Sequence, residues 1–185
     1  MAWQAIVAVL VLLLLVFIGV AATYYNRFVT LANRCDESWS NVDTELQRRH
    51  ELIPNLVATV KGYAAHEKSI MEQVTKARAA AVRARRDGLH DGAMEARLSG
   101  ALDKLLAVAE AYPDLKASDN FLELQRELAI TEDRIQAARR FYNANVRDHR
   151  NATRQFPGTL FAAWFKPAPQ DFFEADAPAA VQVQI

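Results

Sequence analysis

No Asp, Glu, Lys or Arg occurs before Arg27. The chain has one cysteine, Cys35, so no internal disulfide can form, and on its apolar stripe this thiol is expected to be a small buried core group rather than a nucleophile or ligand. Only six glycines occur, none in a loop that would cradle a phosphate, and there is no G-x-S-x-G. Lys plus Arg equals Asp plus Glu at 22 each, so net charge gives no reason to expect nucleic acid or an acidic partner. No alternating strand pattern interrupts the helical stretches.

The uncharged start is also strongly apolar. "AWQAIVAVLVLLLLVFIGVAATYY" supplies about 20 or more residues, enough to span roughly 30 Å of hydrocarbon as a helix. Residues 1–25 are therefore expected to be a transmembrane anchor, with Leu10, Leu14 and Phe17 in its apolar run and Trp3, Tyr24 and Tyr25 where interfacial aromatics belong. A cleaved signal peptide is the competing reading, since Val20 and Ala22 suit a cleavage site. The run, however, exceeds an h-region of about 7–15 residues and has no basic n-region before it. Arg27 and Arg34 follow the span, which by the positive-inside rule favours a single-pass protein with a cytoplasmic body; an extracytoplasmic body stays open.

Beyond the anchor the apolar residues keep helical spacing. Phe28, Leu31, Cys35, Trp39, Val42 and Leu46 are followed in phase by Ile53, Leu56, Val60, Tyr63, Ile70, Val74 and Ala77. Because this stripe crosses Pro54 without losing register, Pro54 is read as a kink inside a helix that continues to "RARRDGLHDG", with Lys61-Gly62 as a second weak point. Gly88 offers a left-handed cap, and Asp91 can cap a second helix with Met94, Leu98, Leu102, Leu105 and Val108 on one face. Ser118 or Asp119 opens a third, carrying Phe121, Leu124, Leu128, Ile135, Ala138, Tyr142 and Phe156.

The fold class is thus all-α: the anchor, then an elongated antiparallel, coiled-coil-like bundle of three to four long helices over 26–156. At about 1.5 Å per residue, residues 25–86 make a rod of roughly 93 Å, nearly matched by return helices of about 31 and 58 Å. A break near Gly62, giving a compact four-helix bundle, is the alternative.

Residues 157–185 form an aromatic, proline-bearing segment. Phe161, Trp164 and Phe165 are candidates for contact with the membrane surface, or for packing against the bundle base. Val181, Val183 and Ile185 alternate at the end, as an edge strand or a disordered tail would.

Chemistry-bearing motifs are sparse. His50-Glu51 and His66-Glu67 do not extend to H-E-x-x-H, and the four histidines are expected to be solvated or capping, with no metal site. Arg78, Arg83, Arg85 and Arg86 lack interleaved aromatics for base stacking and are read as a solvated helix end. No catalytic residue and no cofactor is expected.

Three long stretches, "SWSNVDTELQRRHELIPNLVATVKGYAAHE", "LLAVAEAYPDLKASDNFLELQRELAITEDRI" and "ARRFYNANVRDHRNATRQFP", resemble the successive signatures of the LemA family in their usual order behind an N-terminal hydrophobic helix. The resemblance covers roughly residues 1–165. It implies a membrane-anchored antiparallel helical bundle, transfers no catalytic residue, and through one branch of the family suggests shaping of intracellular bacterial membranes.

The resulting expectation is a scaffold that associates with copies of itself on the bilayer. A tethered adaptor recruiting a soluble partner or protease is the alternative, and a hydrolase using His66-Glu67 a remote third. Arg48, Arg49, Asn55, Lys61, Tyr63, Tyr142, Asn143 and Arg147 are the candidate interface positions, and Tyr63, Tyr112, Phe141 and Trp164 are expected as exposed aromatics.

Overall fold

The computed structural model describes residues 2–89 and 92–174. They form six helices and, among the described residues, no strand: α1 (Ala2–Tyr63), α2 (Lys68–Arg86), α3 (Gly92–Ala109), α4 (Pro113–Lys116), α5 (Asp119–Arg154) and α6 (Gly158–Phe165). The all-α class read from the sequence is the class observed.

Helix α1 runs unbroken through Pro54. Proline has no N–H for the carbonyl four residues back, so the carbonyl of His50 loses its helical donor. Another element supplies one. Arg78 on α2 donates its Nε–H to that oxygen at 2.6 Å. Arg78→Met should therefore cost about 1–3 kcal/mol, the penalty of an unpaired buried carbonyl, and Pro54→Ala should recover part of that loss by restoring the in-helix donor. Urea unfolding of the two single variants and the double variant checks this; additive losses would contradict it.

The expected continuation of the first helix to Arg86 is corrected: α1 ends at Tyr63, just after Gly62, and the chain turns over residues 64–67. Helix α2 then returns along α1. Its Arg78 meets His50, and its Arg85 meets Asp43 at 2.8 Å, partners equally spaced about residue 64. Unbroken phase does not distinguish a long helix from a reversed one, because an antiparallel partner needs the same stripe. Reversal brings Met71, Val74 and Ala81 onto the cluster that holds Ile53, Leu56 and Val60, whereas a straight helix would leave both stripes to find other cover.

The end of α2 follows the expected chemistry. Gly88 adopts φ +71°, and the amides of Gly88 and Leu89 bond back to Arg85 and Ala84, closing the helix in a left-handed cap. The proposed cap Asp91 lies outside the described residues. Helix α3 buries Leu98, Leu102, Leu105 and Ala109, with Met94 packed partly against the same core. The link after it holds the one-turn helix α4, whose first residue is Pro113 and whose Leu115 is fully buried.

Helix α5 stops at Arg154, short of Phe156, which is 80% exposed rather than part of the stripe. Phe156 precedes Pro157, and a residue in that position is disfavoured from helical conformation.

Contacts group the described residues into the corresponding parts of two units, Met1–Trp39 with Phe141–Phe172 and Ser40–Arg140 with Phe173–Ile185. In the first, Phe28, Leu31, Ala152 and Phe161 make a small core, and Trp39 meets Tyr142 edge-on at 5.3 Å. In the second, a larger aliphatic core runs through α1 to α5. Among the described residues α1 alone contains a stretch long and apolar enough to cross a membrane.

Candidate functional site

The buried stripes of the second unit share a gap. On α1 the apolar spacing skips a step between Leu46 and Ile53, where Arg49 and His50 stand. On α3 Glu95 lies one step before Leu98, and on α5 Thr131 and Glu132 lie between Leu128 and Ile135. Helical periodicity aims all of these positions at the core, so the gaps face one another.

Arg49 is the centre of this polar layer. Its Nη1 donates to Ser99 Oγ at 3.1 Å and to Glu132 Oε2 at 2.7 Å, while Nη2 pairs with Glu95. His50 Nε2 lies 3.0 Å from the other Glu95 oxygen. The Arg49 and Glu95 side chains are 4% and 7% exposed, which leaves little solvent to screen their attraction. Burial alone would push the Glu95 carboxyl up, but the hydrogen bond from His50 and the charge of Arg49 more than offset it and hold the group below the ordinary carboxylate range.

Both terminal nitrogens of Arg49 are engaged by carboxylates, whereas Arg49 Nε and His50 Nδ1 are buried without a partner among the described residues. The layer ties α1 to α3 and α5 through side-chain contacts alone. The expectation that the histidines are solvated or capping is corrected for His50 and His149, which are 3% and 2% exposed. They stand on buried helix faces. In the sequence each of the three apolar stripes is interrupted by polar residues, and only the fold shows that these interruptions meet.

The first unit carries a different arrangement. Helix α6 lays its rings on the end of the apolar run of α1: Phe161 stacks on Tyr24 at 4.8 Å, Trp164 faces Phe17 at 6.2 Å, and Phe165 meets Tyr25 edge-on at 5.3 Å. Phe161 is buried by these contacts, while Trp164 stays 65% exposed. The structure thus joins two sets of residues separately nominated from the sequence, the anchor aromatics and the C-terminal aromatics. Trp3, Leu10 and Leu14 lie exposed along the same apolar run.

The remaining nominated positions are scattered. Arg48, Asn55, Lys61, Tyr63 and Arg147 are on the surface and Asn143 is half-buried. Arg49 and Tyr142 are interior residues. The Tyr142 hydroxyl donates to the carbonyl of Asp171 at 2.8 Å, and burial, with Cys35 and nearby carboxylates, keeps its proton in place, its pKa pushed up to about 12. Tyr112, expected among the exposed aromatics, packs partly against the core with its hydroxyl 3.4 Å from Glu67.

A family model described as the LemA family matches residues 38–185. The chain is similar to the magnetosome protein MamQ of Magnetospirillum gryphiswaldense, 30% identical over 184 residues, with 86% of this chain and 68% of the relative covered. Magnetosome protein MamQ 2 of Paramagnetospirillum magneticum is 28% identical with the same coverage. Protein LemA of Metamycoplasma hominis is 25% identical over 118 residues, covering 64% of this chain and 54% of the relative.

Proposed function

The chain belongs to the LemA family, and from that premise we propose a non-enzymatic, membrane-anchored helical scaffold whose copies associate laterally and so organise or remodel the bacterial inner membrane. Residues 1–25 are the single-pass anchor and 26–156 the bundle on the cytoplasmic side, with Phe161, Trp164 and Phe165 of the C-terminal segment at the bilayer surface. The partners are the lipid bilayer and further copies of the same chain.

The observation that carries the reading is the seating of α6 on α1. A short helix bearing Leu160, Phe161, Trp164 and Phe165 is pinned by ring contacts to the end of an apolar run of membrane-spanning length. Leu160 and Trp164 remain exposed, an arrangement costly in water and favourable among lipid headgroups and acyl chains.

Lateral contact draws on Phe141, 60% exposed on α5, and Tyr63, 47% exposed at the end of α1. Phe141→Arg is expected to lower the ability of reconstituted protein to cluster or deform vesicles in electron micrographs while helicity by circular dichroism stays unchanged. Equal deformation by both proteins would remove Phe141 from the interface.

A further inference from the structure

Beside the ring contacts, the end of α5, α6 and the chain returning from it enclose a half-open groove of about 350 Å³. Its ionisable lining comes from His149, Arg150, Arg154, Lys166 and Asp171. These groups are not equally available. Arg150 donates from Nε to the carbonyl of Gln170 and from Nη2 to Asp171 Oδ1, both at 3.1 Å, and its guanidinium covers the Phe172 ring at 4.4 Å. This pair neutralises the carboxylate and fixes one wall. Arg154 and Lys166 form no ion pair among the described residues, so the groove keeps two uncompensated cations.

His149 supplies the second, independent observation. It lines the groove, is 2% exposed, and neither ring nitrogen has a hydrogen-bond partner. A buried polar group without a partner costs free energy that a bound acceptor would recover. Lys166 ends α6 at φ 47°, a conformation that glycine adopts more easily. The groove therefore has a ring N–H donor within and ammonium and guanidinium groups around it, which is the chemistry of a phosphate site.

Its level selects the kind of phosphate. The α6 wall is the helix whose Phe161 and Phe165 lie on Tyr24 and Tyr25, where the apolar run ends, and the first charge of the chain, Arg27, follows directly. We propose that this groove binds the phosphodiester of an anionic phospholipid, with Arg154 and Lys166 pairing its charge, His149 donating to a phosphate oxygen, and the acyl chains lying along the exposed apolar side of α1 and Trp164. The inference rests on reading α1 as a membrane span. It adds lipid selectivity, a property that anchoring alone does not require.

The test uses the full-length protein, delipidated in mild detergent and offered phosphatidylglycerol or phosphatidylcholine of the same acyl chains, with retained lipid counted by native mass spectrometry. Wild type is expected to prefer phosphatidylglycerol by about thirtyfold, the effect of two cations at an anionic headgroup. Arg154→Gln with Lys166→Gln should abolish the preference, and because both residues are exposed the fold should survive. His149→Phe, a volume-filling change without a donor, should lower retention of phosphatidylglycerol.

No preference in wild type, or an unchanged one in the double variant, would overturn the proposal. Displacement of the lipid by equimolar inorganic phosphate would assign the groove to a soluble phosphate and overturn the lipid source. Flotation on phosphatidylcholine vesicles separates the two readings: lost selectivity with intact flotation rejects the groove alone, whereas failure to float rejects the anchor and the proposal with it.

Discussion

Arg49→Ala should destabilise the protein by about 3–5 kcal/mol, the cost of removing one partner from a buried ion pair. The loss comes from what stays behind. Glu95 would remain buried with His50 as its polar partner, and Ser99 and Glu132 would lose their shared donor. A paired replacement separates lost attraction from uncompensated charge: Arg49→Met with Glu95→Leu fills similar volume and removes the buried pair together, leaving the part-exposed Glu132 to solvent and His50 without its partner, and should be less destabilising than Arg49→Ala. Chemical denaturation of the three proteins decides the matter. A nearly neutral Arg49→Ala would mean that the layer contributes no net stability.

The same cluster sets an acid limit. The folded Glu95 carboxyl titrates below its ordinary value, so the stability it contributes is present above that ordinary value, near 4.5, and is lost as pH falls through the lower folded one. In Arg49→Ala the lowering charge is gone and burial acts against fewer opponents. The acid transition should move to higher pH.

Gly158→Ala is expected to have the other large effect, in the unit that holds the aromatic contacts. A Cβ built on Gly158 overlaps the carbonyl oxygen of Ala152, a backbone atom that cannot swing away as a side chain would, and also approaches the Tyr24 ring at 3.7 Å. Relief requires α6 to move off α5, which breaks the Tyr24–Phe161 stack and the approach of Trp164 to Phe17. Overpacking of this kind costs typically about 1–3 kcal/mol, and more when the obstruction is backbone. Trypsin should cut faster after Arg154, where α5 ends beside α6, in the variant, and tryptophan emission should shift as Trp164 changes surroundings. Gly88→Ala is the control: its φ of +71° costs roughly 1 kcal/mol for a Cβ, but nothing lies within 4 Å. If both variants resisted trypsin equally, close seating of α6 on α5 would be wrong.

Much of the fold was legible because burial follows helical spacing. Phe28, Leu31, Cys35, Val42, Leu46, Ile53, Leu56 and Val60 are all buried, as one stripe on one helix requires. Where α1 ends was not legible, because the stripe that runs on past Gly62 serves a returning helix as well as a continuing one. The polar layer was hidden for a related reason. Arg49, Glu95 and Glu132 belong to three helices, and spacing within one helix says nothing about which gaps will meet. Cys35, alone and on the stripe, was easier, and burial with neighbouring Asp36 and Asp148 pushes its thiol pKa up, away from reactive chemistry. The constraint on Gly158 had no local signature, since it comes from the Ala152 carbonyl of the preceding helix.

The scaffold reading turns on whether anchored copies associate. The most direct measurement is the mass of the full-length protein in nanodiscs or detergent by light scattering, beside that of residues 27–185. A discrete assembly of several chains that depends on the anchor is the predicted result; monomers in both samples would contradict lateral association as the mechanism.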